Sequence, residues 1–171
     1  YQFGIRNGMI LLLNVVTALV IGLLTEQLAV VAEFTLSFMV LRSYTGGYHS
    51  DSRIFCYLGS NLVLLVPVYT QAVFYKTSLA WLLAVLLVSA GIIFLLSPMH
   101  SKNRKLDKED QKHFGRKARL IAALELAVLG ILWHAGQIPY AYAVYTGICI
   151  TALFMIVGKA QLWIQSHTEN G

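Results

Sequence analysis

Apolar residues in this chain fall into long runs separated by two polar stretches. The runs cover 8–25, 54–75, 79–97, 119–135 and 139–158, with a shorter sixth at 28–41 that contains Glu33. A helix needs roughly 17–20 apolar residues to cross the hydrocarbon of a bilayer, and each of the five longer runs has them. The pattern predicts an all-α, polytopic membrane protein with one domain over residues 1–171. It shows no repeat period, low-complexity tract or soluble domain.

Charge decides whether 28–41 also spans. Lys and Arg collect on the cytoplasmic side of membrane proteins. The polar stretch 98–118 carries Lys102, Arg104, Lys105, Lys108, Lys112, Arg116 and Lys117, with Arg119 at its edge. Placing it in the cytoplasm and alternating through six spans also brings Arg6, Arg42, Arg53 and Lys159 inside, leaving Lys76 outside. Were 28–41 not a span, Arg6 would move outside. Six transmembrane helices with both termini cytoplasmic is therefore the expected topology, with cytoplasmic loops at 42–53 and 98–118.

Composition supports this reading. The chain is 57% hydrophobic and 12% charged, against about 25% charged in an average soluble domain. Topology also accounts for the net charge of +5 without any nucleic-acid partner. The basic loop suits anionic lipid headgroups, at about 1 kcal/mol per basic residue near the surface. Setting topology and solvating the loop explain it equally well. The chain opens at Tyr1 with no recognisable signal peptide, and a further N-terminal piece is expected. Cys56 and Cys149 form no disulfide framework.

The first polar stretch, "RSYTGGYHSDSRIFCYL" from Arg42 to Leu58, gathers most of the reactive chemistry. Gly46 and Gly47 tolerate positive φ and suit a tight reversal. Ser50, Asp51 or Ser52 can cap the third span, which puts Cys56 in its first turn or two. The positive end of the helix dipole and Arg53, three residues earlier on the same face, both favour a thiolate there. His49 can act as the base that takes the thiol proton and later returns it. In one continuous helix, seven residues would separate His49 and Cys56 by about 10 Å. A pair therefore requires the Gly-Gly reversal to fold His49 back. Two plainer readings remain open: Cys56 as a small apolar filler and His49 as a solvated loop residue. A zinc site shared with His100 lacks ligands and any CxxC, so no metal or other cofactor is expected.

Polar residues also lie within the spans. Glu33 and Glu125 are costly there, and each is by default a functional candidate. Glu125, about 9 Å beyond Arg119, can orient His49 as a third catalytic member or face a bundle partner. Asp51 competes for the orienting role. Asn14 and Asn61 are expected to bond across helices. Trp133, His134, Tyr140, Tyr142, Tyr145 and Trp163 suit interfacial belts. The carboxylates, together with Gly59 and Pro67 as interruptions of the third span, also suit a transporter or exporter of a small peptide or ion. No matched half-repeat accompanies them. A non-catalytic assembly factor docking through the basic loop is a third reading.

The pattern Arg42-x4-Gly47-x-His49-x6-Cys56, between the second and third of six spans, resembles the accessory gene regulator B (AgrB) family. These are bacterial membrane cysteine endopeptidases of peptide quorum sensing. A second matching block is "SPMHSKNRKL" (97–106). The resemblance implies Cys56 as nucleophile and His49 as general base, with Arg42 and Gly47 shaping the site or holding substrate. It implies an AgrD-like propeptide with an amphipathic leader, a core containing Cys or Ser, and an acidic C-terminal tail. Cleavage after the core leaves an acyl-thioester on Cys56, which the core's own Cys or Ser attacks to close a thiolactone or lactone ring. Lys102, Arg104 and Lys105 are expected to attract the acidic tail. The implied location is the bacterial plasma membrane, with the site on its cytoplasmic side. Family members usually carry a longer segment before the first span. A homodimer is compatible with the family, although no dimerisation motif stands out.

Overall fold

A computed structural model describes residues 2–46, 53–99 and 108–168. These form six α-helices: α1 (Gln2–Leu24), α2 (Leu28–Thr45), α3 (Arg53–Lys76), α4 (Leu79–Leu96), α5 (Lys108–His134) and α6 (Ile138–Thr168). Among the described residues, three stretches are long and apolar enough to cross a membrane: Leu28–Thr45, Leu79–Leu96 and Ile138–Ile164. Leu12–Leu24 is a shorter apolar stretch. The outside of the bundle carries large bare apolar side chains, among them Leu24, Leu62, Leu87 and Leu95. A continuous surface of this kind finds its solvent in lipid hydrocarbon. The fold is a membrane-embedded helical bundle.

Helix α6 is its axis. It packs on α2, α3, α4 and α5 and is mostly buried, whereas α4 is mostly exposed. Ala143, Gly147 and Thr151 recur every four residues and are fully buried. Small residues at this spacing let membrane helices approach closely. A Cβ on Gly147 would stand 2.5 Å from Ser37 Oγ and 3.1 Å from Ser37 Cβ, so only glycine permits this α2–α6 contact. One buried cluster joins Ala18, Val31, Phe34, Leu64, Phe74 and Tyr142. A second joins Leu41, Ile93, Ala122, Val144, Ile148 and Met155.

Two helix hairpins reverse by the same device. After α1, Gln27 N–H bonds Gly22 O at 2.9 Å and Glu26 N–H bonds Leu23 O at 3.3 Å. After α5, Gln137 N–H bonds Leu132 O at 2.9 Å and Gly136 N–H bonds Trp133 O at 3.1 Å. Both are Schellman closures, which need a left-handed residue. Gly136 supplies it at φ 72, while Glu26 adopts φ 57 without being glycine.

Several sequence expectations change here. Helix α2 continues through Arg42 to Thr45, α5 begins at Lys108 inside the expected basic loop, and α6 runs to Thr168 rather than ending near 158. Hydropathy finds where apolar residues stop, but the backbone stays helical beyond that point. Helix α3 is unbroken through Gly59 and Pro67, so no discontinuous span exists there. The Tyr142 hydroxyl donates to Pro67 O at 2.9 Å and lies 2.6 Å from Thr70 Oγ1, so α6 contributes hydrogen bonds next to the proline. Tyr142 is 2% exposed, and with half-buried Tyr145 it packs on Phe74. These two tyrosines belong to the core and not to an interfacial belt. The amide oxygens of Asn14 and Asn61 are buried without a hydrogen-bond partner, so the expected cross-helix bonds are not made through these atoms.

Candidate functional site

The site is built at the end of the bundle where α2 stops. Arg42 lies in the last turn of α2, where a cation meets the negative end of the helix dipole. Its Nη1 donates to Gly46 O at 3.2 Å, and its guanidinium carbon stands 4.7 Å from the centre of the Phe154 ring on α6. Arg42 is therefore a helix-end residue that spans the reversal rather than a member of the loop itself.

Gly46 has φ 75 and ψ −152, a combination essentially reserved for glycine. The absence of a side chain is needed a second time, because a Cβ there would stand 2.8 Å from Met99 O. Met99 N–H in turn bonds Thr45 O at 2.9 Å. The segment after α4 is thus docked on the end of α2, and Pro98 is held from the other side by Gly115 of α5, where a Cβ would stand 2.9 Å from Pro98 Cδ. Arg119 Nε donates to Phe94 O at 3.2 Å, tying α5 to α4 nearby. The two sequence blocks singled out above, which begin at Arg42 and Ser97, meet here.

Arg53 opens α3, and Cys56 falls in its first turn. Gly47, His49 and Asp51 lie outside the described residues, as do the side chains of Arg53 and Cys56. His100, Lys102, Arg104 and Lys105 also lie outside them.

Glu125 finds its partner elsewhere in the bundle. Ser37 Oγ donates to Glu125 Oε2, joining α2 to α5, and Glu33 lies one helical turn before Ser37 on α2. Ser37 precedes Gly46 by nine residues, about 13 Å along the axis of α2. Glu125 thus faces a bundle partner, one of the two roles its sequence position allowed. Cys149 is a free, half-buried thiol on α6. Among the described residues, no three His, Cys, Asp or Glu side chains gather as a metal-binding group.

Two residues that shape the α2–α6 packing escaped sequence reasoning. Phe154 sits in an apolar run like any other aromatic, and its link to Arg42 exists only across 112 residues of chain. Gly147 had a legible signal, the Ala143-x3-Gly147-x3-Thr151 spacing.

Neither a curated protein nor a solved structure matches the chain. A family profile does, and over nearly the whole length. It spans α1 to α5 and most of α6, including the Arg42–Cys56 stretch and the Ser97–Met99 segment that docks beside it. With residues 1–157 matching accessory gene regulator B, the chain belongs to the AgrB family.

Proposed function

We propose that this protein is the cysteine endopeptidase that matures a cyclic peptide signal of bacterial quorum sensing. The observation that carries the reading is the family match over residues 1–157, which includes the Arg42–Cys56 pattern. In this reading all six helices span the plasma membrane with both termini cytoplasmic, and the Gly46 end of the bundle faces the cytoplasm.

The chemistry follows from the residue types. His49 takes the proton of the Cys56 thiol, and the thiolate attacks the carbonyl that joins the propeptide core to its acidic tail. The tail leaves as an amine with the proton returned by the imidazole. The core is then an acyl-thioester on Cys56. The core's own Cys or Ser gives its proton to His49 and attacks that carbonyl, closing the ring and releasing the Cys56 sulfur. Thioester exchange is nearly isoenergetic, so proximity and limited water at the membrane edge favour ring closure over hydrolysis. No electrons are gained or lost overall.

The remaining residues support this pair. The Arg42–Gly46 contact and the Gly46–Met99 packing prepare the entry to the connection that carries Gly47, His49 and Asp51. Arg53 and the α3 dipole favour the thiolate. Asp51 is the nearest orienter of His49 in sequence, and a bare Cys–His pair serves as well. The bond from Ser37 favours a bundle role for Glu125 and Glu33 over third membership of the catalytic set. Lys102, Arg104 and Lys105 attract the acidic tail, and the basic residues beside them meet anionic headgroups. A homodimer is compatible with this reading.

Co-expression with the AgrD-like propeptide tests it. Cys56→Ser and His49→Ala are expected to abolish processing while the protein still inserts. Processing retained by either variant removes the peptidase reading. The two carboxylates Glu33 and Glu125, each within a helix of a membrane-embedded bundle, favour transport as the second reading. A transporter would tolerate those two substitutions and lose activity on Glu33→Gln or Glu125→Gln.

A further inference from the structure

Phe154 belongs to neither sequence block that carries the proposed chemistry, yet its ring joins the membrane core to the α2 reversal. On one side it meets Phe38 edge-on, with ring centres 5.8 Å apart and planes inclined at 62°. Phe38 is stacked on Phe34 at 5.8 Å, and Phe34 is fully buried. The ring is thereby held by a column of aromatics along α2. It also presents its face to the Arg42 guanidinium at 4.7 Å. The same guanidinium donates to Gly46 O at 3.2 Å, and Gly46 aims the chain into the connection that carries His49.

The physics assigns each link a job. An arginine side chain loses much rotamer freedom when it is held in one pose. A guanidinium over an aromatic face gains electrostatic attraction that grows when water is excluded. Arg42 is half-buried, so the ring face competes well against water here. The Gly46 carbonyl accepts from Thr45 Oγ1 at 3.4 Å as well as from Arg42 at 3.2 Å, and the ring face helps to hold the shorter of the two donors in place.

We propose that Phe154 is a positioning residue for the reaction. It holds Arg42 on the Gly46 carbonyl and so sets the direction in which the His49-bearing connection leaves α2. The functional consequence rests on the peptidase reading, while the holding of Arg42 by the ring does not.

The test uses the full chain in nanodiscs with an AgrD-like propeptide. Phe154→Leu fills the space but removes the aromatic face. It is expected to lower kcat about tenfold with KM changed by less than about twofold. Phe154→Trp keeps a face for the cation and restores most of kcat. Arg42→Gln lowers kcat itself, and adding Phe154→Leu to it costs nothing further, because the ring acts through the arginine. Additive loss in the double variant, or equal loss in Phe154→Trp and Phe154→Leu, overturns the proposal. A second arm needs no activity. In protein labelled with 15N-arginine, the Arg42 Nε–Hε signal is expected upfield from the ring current and should return to the ordinary position in Phe154→Leu. A signal that Phe154→Leu leaves unmoved overturns the contact. If the peptidase reading itself is wrong, Cys56→Ser will process as well as wild type, and the NMR arm still decides whether Phe154 holds Arg42.

Discussion

Gly46→Ala probes the joint on which the candidate site is built. The backbone there, at φ 75 and ψ −152, costs a residue with a Cβ about 1–3 kcal/mol. The new methyl would also stand 2.8 Å from Met99 O, and that oxygen is backbone, in a segment tied to Thr45 O by a 2.9 Å hydrogen bond. It cannot rotate away as a side chain would, and overpacking of this kind costs roughly 1–3 kcal/mol. Unwinding the reversal relieves both penalties at once but forfeits the Met99–Thr45 docking. The expected net loss is about 2–4 kcal/mol, or about 5–10 °C in Tm for a chain of this size. Neither buried cluster includes Gly46, so the bundle should persist with only its Gly46 end disordered. Propeptide processing should fall nearly to background. Gly130→Ala is the matched control, since a Cβ there meets nothing within 4 Å and alanine improves helix propensity by about 1 kcal/mol. Tryptophan fluorescence against temperature and processing in nanodiscs are the two readouts. A Gly46→Ala protein with the Tm and activity of Gly130→Ala would refute the reasoning.

Three further outcomes follow from other parts of the molecule. Glu26→Gly relieves a left-handed residue at φ 57 and should raise stability by about 1 kcal/mol, whereas Gly136→Ala at the equivalent position should lower it; opposite signs in thermal melts are the check. Tyr142→Phe removes the hydroxyl shared between Pro67 O and Thr70 and should cost about 1 kcal/mol, with Thr70→Val adding little on top because both act on one group. Neutralising Lys102, Arg104 and Lys105 together should raise KM and flatten its dependence on salt; a KM unchanged in both respects would take those residues out of substrate binding.

What could be read from the sequence was set by physics that acts along the chain. Apolar run length pointed to five of the six helices, and charge placement was needed to admit the shortest run, which became α2. The register of Cys56 in the first turn of α3 followed from counting residues past the polar stretch. Helix ends were harder. Arg42 looked like a loop residue because it is charged, but charge ends a hydrocarbon-spanning run without ending a helix. The basic residues from Lys108 to Lys117 misled in the same way. Contacts between distant segments were not legible at all. Nothing local to Glu125 pointed to Ser37, 88 residues earlier, and nothing local to Phe154 pointed to Arg42. The docking of Met99 on Gly46 was half legible: two motif blocks could be singled out, but their meeting required the fold.

The most direct measurement is trapping of the covalent species. A propeptide whose core nucleophile is replaced by alanine can acylate Cys56 but cannot close the ring. Intact-mass spectrometry of the protein, incubated with this propeptide in nanodiscs, should show an adduct with the mass of leader plus core. Hydroxylamine should release it, and Cys56→Ser should never form it. Tail release without any adduct on wild type, or with equal efficiency in Cys56→Ser, would show that the bond is broken by some other group.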